Sequence, residues 1–113
     1  MTAHQPNALV HFDVAGPEEL PLRRFYADLL GWQVEGKGPG YALVGTPGGP
    51  GGAIVEEEQA SLTLGVAVDD LDGAVAQVVE LGGTVLSPPV DNGWVRKALV
   101  TDPAGNRLAL IAR

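Results

Sequence analysis

Three short runs of this chain alternate with the period of a β-strand. In Leu9 to Val14 the apolar row is Val10, Phe12 and Val14, which leaves Leu9, His11 and Asp13 on the other side. In Leu62 to Val68 the row is Leu64, Val66 and Val68, opposite Thr63, Gly65 and Ala67. The last run, Arg107 to Ile111, aims Leu108 and Leu110 one way and Arg107, Ala109 and Ile111 the other. After the first two runs the spacing turns helical. A helix from about Glu18 to Leu30 tolerates Pro21 in its opening turn, stops at Gly31 and carries Leu22, Phe25, Tyr26 and Leu29 as an apolar stripe. A second opens after Asp69-Asp70, whose carboxylates can cap free amides, and carries Leu71, Val75, Val78 and Leu81 until Gly82-Gly83. Each stripe needs a sheet face to cover, and the apolar rows provide it. The opposite face is mixed, small and partly polar, which suits either a ligand cavity or a solvated surface.

The same order of parts occurs twice. Each half reads as strand, helix, then two or three strands separated by Gly- and Pro-rich turns. Each half closes on a tight turn that launches a final strand: Asp102-Pro103-Ala104-Gly105-Asn106 before Arg107, and the weaker echo Gly51-Gly52 before Ala53-Ile54-Val55-Glu56. The reading is an α+β fold of two βαβββ modules of roughly 50 residues, module one at about 8–58 and module two at about 60–113. A chain of 113 residues is one domain by size, so the modules share a single fold with helices on one sheet face.

Hydrophobic residues at 45% and charged residues at 19% describe an ordinary globule and exclude a disordered chain. The formal charge of -7 disfavours nucleic acid and anionic membrane as partners, and favours a cationic small molecule. No apolar run is long enough to cross a membrane, and Met1 to Asn7 lacks the basic start and apolar stretch of a signal peptide, so the expected location is cytoplasmic. The absence of cysteine removes disulfides, thiolate nucleophiles and Cys-type zinc sites. The glycine-rich loop from Gly45 to Gly52 lacks the Lys-Ser/Thr ending of a phosphate-binding loop and reads as a hairpin turn.

His11-Phe12-Asp13-Val14, then Arg24-Phe25-Tyr26-Ala27-Asp28-Leu29-Leu30-Gly31-Trp32, Val66-Ala67-Val68-Asp69-Asp70-Leu71-Asp72, Leu81-Gly82-Gly83 and the Asp102 to Asn106 turn follow one another at a spacing that resembles the vicinal oxygen chelate superfamily. That superfamily includes glyoxalase I, extradiol dioxygenases, and bleomycin- and fosfomycin-resistance proteins. The resemblance covers nearly the whole chain. It implies paired βαβββ modules curved around a cavity, within a homodimer. It also implies up to four metal ligands, one from the first and one from the last strand of each module. His11 stands at the first-strand histidine position, Thr63 at its counterpart in module two, and Ala109 at the last-strand carboxylate position. The fourth position maps onto Glu56 when Gly52 is aligned with Gly105, an alignment that a one-residue slip would turn away from the cavity.

Thr63 is a poor donor and Ala109 is none, so at most His11 and Glu56 remain, short of the three protein donors that a Ni, Zn, Mn or Fe site requires. The expectation is therefore no cofactor, with a divalent metal on His11 and Glu56 as the alternative. His11 beside Asp13 can act as acid, base or ligand donor, or serve only as a hydrogen-bonded structural residue or a surface group. His4, near the terminus, is not a candidate. The expected ligand-binding set is His11, Asp13, Tyr41, Thr63, Trp94, Arg96 and Ala109; Trp94 and Arg96 follow the Pro88 to Gly93 loop and, like Tyr41, start strands that border the cavity in similar proteins. The function expected from these residues is small-molecule binding. The alternative is a lyase, isomerase or dioxygenase-like enzyme using His11.

Overall fold

The computed structural model describes residues 6–113; His4 lies outside them. The elements run β1 (Leu9–Gly16), α1 (Glu19–Leu30), β2 (Gln33–Gly36), β3 (Tyr41–Gly45), β4 (Gly51–Glu56), β5 (Ser61–Val68), α2 (Leu71–Glu80), β6 (Thr84–Asp91), β7 (Arg96–Thr101) and β8 (Arg107–Ala112). This is the α+β order of two βαβββ modules. The chain forms two compact units, one of residues 11–62 and one of residues 63–113 joined by the segment up to Val10. Among the described residues no helix is long and apolar enough to cross a membrane.

In the N-terminal unit the strand order is β2-β3-β4-β1, antiparallel except for the parallel β1–β4 pair. Val14, Ala42, Val44 and Ile54 form its core, with Phe12, Leu22, Tyr26, Trp32 and Val34 packed against them. The even-numbered positions of β1 thus face α1, as the alternation predicts. The helix departs from expectation: Phe25 is 56% and Leu29 64% exposed. The covered line instead runs through Glu19, Leu22 and Tyr26, one turn apart on the same side of the helix, and Phe25 only meets the edge of the Tyr26 ring. Trp32 stacks on Tyr26 at 5.5 Å and tilts against Phe12 at 5.7 Å, closing the end of the core past α1. Gly31 ends the helix in the left-handed conformation at φ 71°, its amide donating to the Ala27 carbonyl.

In the C-terminal unit the order is β5-β8-β7-β6, with β5 and β8 parallel and the other pairs antiparallel. Val68, Leu71, Ala98, Val100 and Leu110 make the core, and Val66, Val75, Val78, Val85 and Leu108 lie against it. Asp70 caps α2, its carboxylate accepting the Gly73 amide at 3.0 Å. Leu81 does not join the stripe. It falls beyond the last helical turn and is 75% exposed.

Candidate functional site

The face of β1 turned away from α1 carries His11, Asp13 and Ala15. Parallel pairing with β4 sets these beside Gly51, Ala53 and Val55, and β3 adds Leu43 and Tyr41 to the Ala53 and Val55 rows. The His11 Nε2 and the Asp13 Oδ1 lie 2.9 Å apart, both side chains partly exposed. A carboxylate accepts and does not donate, so Nε2 is the donor in this bond, which in an uncharged ring leaves the lone pair on Nδ1. Directly across from His11, Gly51 has no side chain, and a β-carbon there would meet the Val44 carbonyl oxygen at 3.3 Å. Tyr41 shares this face two rows from His11 and two strands away, so it borders the region without touching the pair.

Glu56 is on the other face. It pairs with Gly16, whose α-carbon looks toward Leu22 of α1, and its Oε1 accepts the Glu19 amide at 3.2 Å where the helix begins. Glu19 itself is buried and holds Arg23 through a two-pronged ion pair, one prong measuring 2.8 Å. The structure therefore does not bring His11 and Glu56 together. Module register gives the reason: Asp13 pairs with Ala53 as Gly65 pairs with Ala109, so the counterpart of Ala109 is Ala53, three residues before Glu56. An odd displacement along a strand reverses the face.

In the C-terminal unit the face away from α2 carries Thr63, Gly65 and Ala67 of β5, Arg107, Ala109 and Ile111 of β8, and Leu99 and Thr101 of β7. Thr63 and Ala109 are buried there, in the rows that the alternation gives them. Arg96 is not: β7 alternates so that Arg96, Ala98 and Val100 face α2, and the Arg96 guanidinium grips Asp72 of that helix at 2.8 and 3.3 Å. These bonds hold the Asp72 carboxyl below, and the Arg96 guanidinium above, its ordinary pKa. Trp94 precedes β7 and is 87% exposed; the Asn92 side chain fixes its loop by accepting the Trp94 and Val95 amides, each at 3.0 Å. Sequence reasoning placed Arg107 on the non-helical face but gave it no role; its Nε is shielded from solvent and has no hydrogen-bond partner among the described residues. A cleft of about 430 Å³ at the start of α2, lined by Pro6, Asn7, Asp69, Asp70, Gly73 and Gln77, contains none of the predicted site residues.

A metal does not fit these residues. Among the described residues no three His, Cys, Asp or Glu side chains gather to hold an ion. Of the four positions implied by the resemblance, read in the observed register as His11, Ala53, Thr63 and Ala109, only His11 offers a nitrogen or carboxylate donor. That imidazole already bonds Asp13.

A family profile described as Glyoxalase-like domain matches residues 5–111. CFP32 of Mycobacterium tuberculosis, named as a candidate glyoxylase, is 31% identical, the match covering 87% of this chain and 42% of CFP32. The anthracycline biosynthesis protein DnrV of Streptomyces peucetius is 28% identical, covering 97% of this chain and 48% of its own length. The chain thus spans less than half the length of these curated relatives. A glyoxalase/bleomycin resistance protein/dioxygenase superfamily member from Vibrio splendidus has the same fold, with a TM-score of 0.72 over 95% of this chain and 99% of the other at 12% identity.

Proposed function

The chain belongs to the glyoxalase-like domain family, and from that membership we propose that it is a small-molecule binding module that holds its ligand against the non-helical strand face beside His11, without a catalytic metal. Because this fold hosts both binders and enzymes, the choice rests on the site. The observation that carries it is the donor set: a single imidazole, bonded to Asp13, stands where metal-dependent relatives need several ligands. The lack of a side chain at Gly51, directly across from His11, supports ligand access to the imidazole. In this reading the protein is a homodimer, with twice the chain mass by light scattering at micromolar concentration.

A thermal-shift screen of metabolites, antibiotics and divalent metals tests the proposal, since a ligand that binds only the folded state raises its apparent stability. The expected result is a rise with an organic ligand that is reduced in His11→Ala. Near-stoichiometric Ni, Zn, Mn or Fe by elemental analysis, lost in His11→Ala, would overturn the metal-free reading.

The His11–Asp13 bond itself favours a second reading, a metal-free enzyme. Asp13 fixes the ring's orientation and tautomer, so Nδ1 can take a proton from a bound substrate and return it. Turnover of a screened ligand, abolished in His11→Gln and reduced in Asp13→Asn with binding retained, would select this reading over pure binding.

A further inference from the structure

Arg107 opens β8 on the face turned away from α2. Strand register places it beside Thr63 of β5 on one side and Thr101 of β7 on the other, with Thr84 of β6 next to Thr101. One guanidinium among three hydroxyl residues thus forms a row across the four strands of the C-terminal unit. Among the described residues the Nε–H of Arg107 is shielded from water and finds no hydrogen-bond partner, and the side chain enters none of their ion pairs.

That vacancy is unusual in a chain with 14 Asp and Glu against 7 Lys and Arg. Arg23 and Arg96 each hold a carboxylate in a two-pronged grip. Arg24 and Lys97 are exposed, so water satisfies them. The sequence before Pro6 contains neither Asp nor Glu. Buried donors in folded proteins are almost always paired, because desolvation of an unpaired one is a standing cost.

We propose that Arg107 anchors a carboxylate-binding site of the C-terminal unit. A turn of the half-buried side chain brings its Nε–H out to one oxygen of a ligand carboxylate while one terminal N–H takes the other, the arrangement that planar guanidinium favours, and the Thr63 or Thr101 hydroxyl donates to an oxygen lone pair. A carboxylate suits the row better than a phosphate. The row holds one cation and neutral hydroxyls, which balance a single negative charge, whereas a phosphate dianion would add uncompensated charge to a protein already at -7. The acidic whole-chain field favours cations at long range, but a half-buried guanidinium fork acts at contact distance, where local geometry decides. The site uses no residue of the His11 region, so it stands or falls separately from the function proposed above.

The test is an NMR titration of the full chain that follows arginine Nε–H resonances, with the Arg107 signal assigned by its loss in Arg107→Lys. Sodium acetate and sodium succinate are the probes, sodium phosphate is the competing anion, and sodium chloride holds ionic strength constant. The expected result is a saturable shift of the Arg107 signal with the carboxylates, accompanied by a rise in Tm. The rise is lost in Arg107→Lys, which keeps the charge but not the fork, and in Arg107→Gln. It is kept in Lys97→Gln, which removes an exposed charge from the neighbouring strand. An Arg107 signal that carboxylates leave unmoved, or that phosphate alone moves, overturns the proposal. So does a Tm rise that survives in Arg107→Gln or disappears equally in Lys97→Gln. If Arg107→Gln fails to fold, the titration of the unaltered chain still decides.

Discussion

Gly51 and Gly52 are adjacent on β4 and look to opposite faces, so alanine at each position separates packing from ligand access. A β-carbon on Gly52 would lie 2.5 Å from the Phe12 carbonyl oxygen and 2.6 Å from the Phe12 ring. One obstacle is backbone, so turning the ring is not enough; β1 and β4 must move apart. Overpacking of this kind costs about 1–3 kcal/mol, against which alanine recovers about 0.4–1 kcal/mol by restricting the unfolded chain. The expected net loss is about 1–2 kcal/mol, a fall in Tm of roughly 5 °C or more for a domain of this size. A β-carbon on Gly51 meets only the Val44 carbonyl oxygen, at 3.3 Å, a contact that small shifts relieve. It does occupy the space across from His11. Gly51→Ala should therefore keep Tm within about 2 °C of the parent and weaken the thermal-shift response to ligand. Gly52→Ala should lower the urea midpoint at unchanged m-value, followed by the fluorescence of Trp32 in the adjoining core. If Gly52→Ala leaves Tm unchanged, or Gly51→Ala proves the more destabilising, the assignment of the two faces is refuted.

Three other perturbations probe the frame around the site. Ile54 is 1% exposed in the N-terminal core, so Ile54→Ala should cost about 2–5 kcal/mol and Ile54→Val about 0.5–1.5 kcal/mol by urea unfolding. Removing the α2 cap with Asp70→Ala should cost about 1 kcal/mol, and Asp70→Asn, which keeps an acceptor oxygen, should recover most of it. The Asn106 side-chain amide, then the Asn106 and Ala104 backbone amides, hold the Asp102 carboxyl below its ordinary range. A carboxylate lowered in the folded state stabilises it fully above the unfolded pKa of about 4, and that stability is lost as pH falls through the lower folded value. Asn106→Ala should raise the Asp102 titration midpoint, measured by carboxyl carbon NMR, and flatten the acid side of the stability profile.

Alternation in β1, β5 and β8 was enough to divide helix-facing from open positions, because a strand's two faces leave no third choice. The helices were less legible. Period 3.6 says that Leu22, Phe25, Tyr26 and Leu29 lie near one another, but not which edge of the stripe the strands cover, and buried Glu19 with its Arg23 partner has no apolar signature at all. Glu56 needed the β1–β4 register, which depends on the length of chain folded between those strands and not on the glycine alignment of the turns. Arg96 needed the phase of β7, hidden by the irregular Asp91 to Val95 loop. For Arg107 the face was readable and the missing partner was not, since partnership is decided by every other side chain in the unit.

The two modules agree where they pack against helices and differ on the opposite strand face. In each, the first and closing strands are parallel neighbours, and one cross-strand pair occupies corresponding places: His11 with Gly51, and Thr63 with Arg107. Directly opposed residues on one face share the same few ångströms of room, so each pair combines one larger chemical group with a smaller neighbour. The larger group comes from the first strand in one module and from the closing strand in the other. An imidazole tied to a carboxylate handles protons, while a guanidinium fork takes up negative charge, and neither can replace the other. The helix-facing rows repeat because each must meet an apolar helix stripe. The opposite rows escape that demand, which is why the internal repeat shows the fold so clearly while Thr63 and Ala53 misreport the chemistry if read as copies of His11 and of a metal-binding carboxylate.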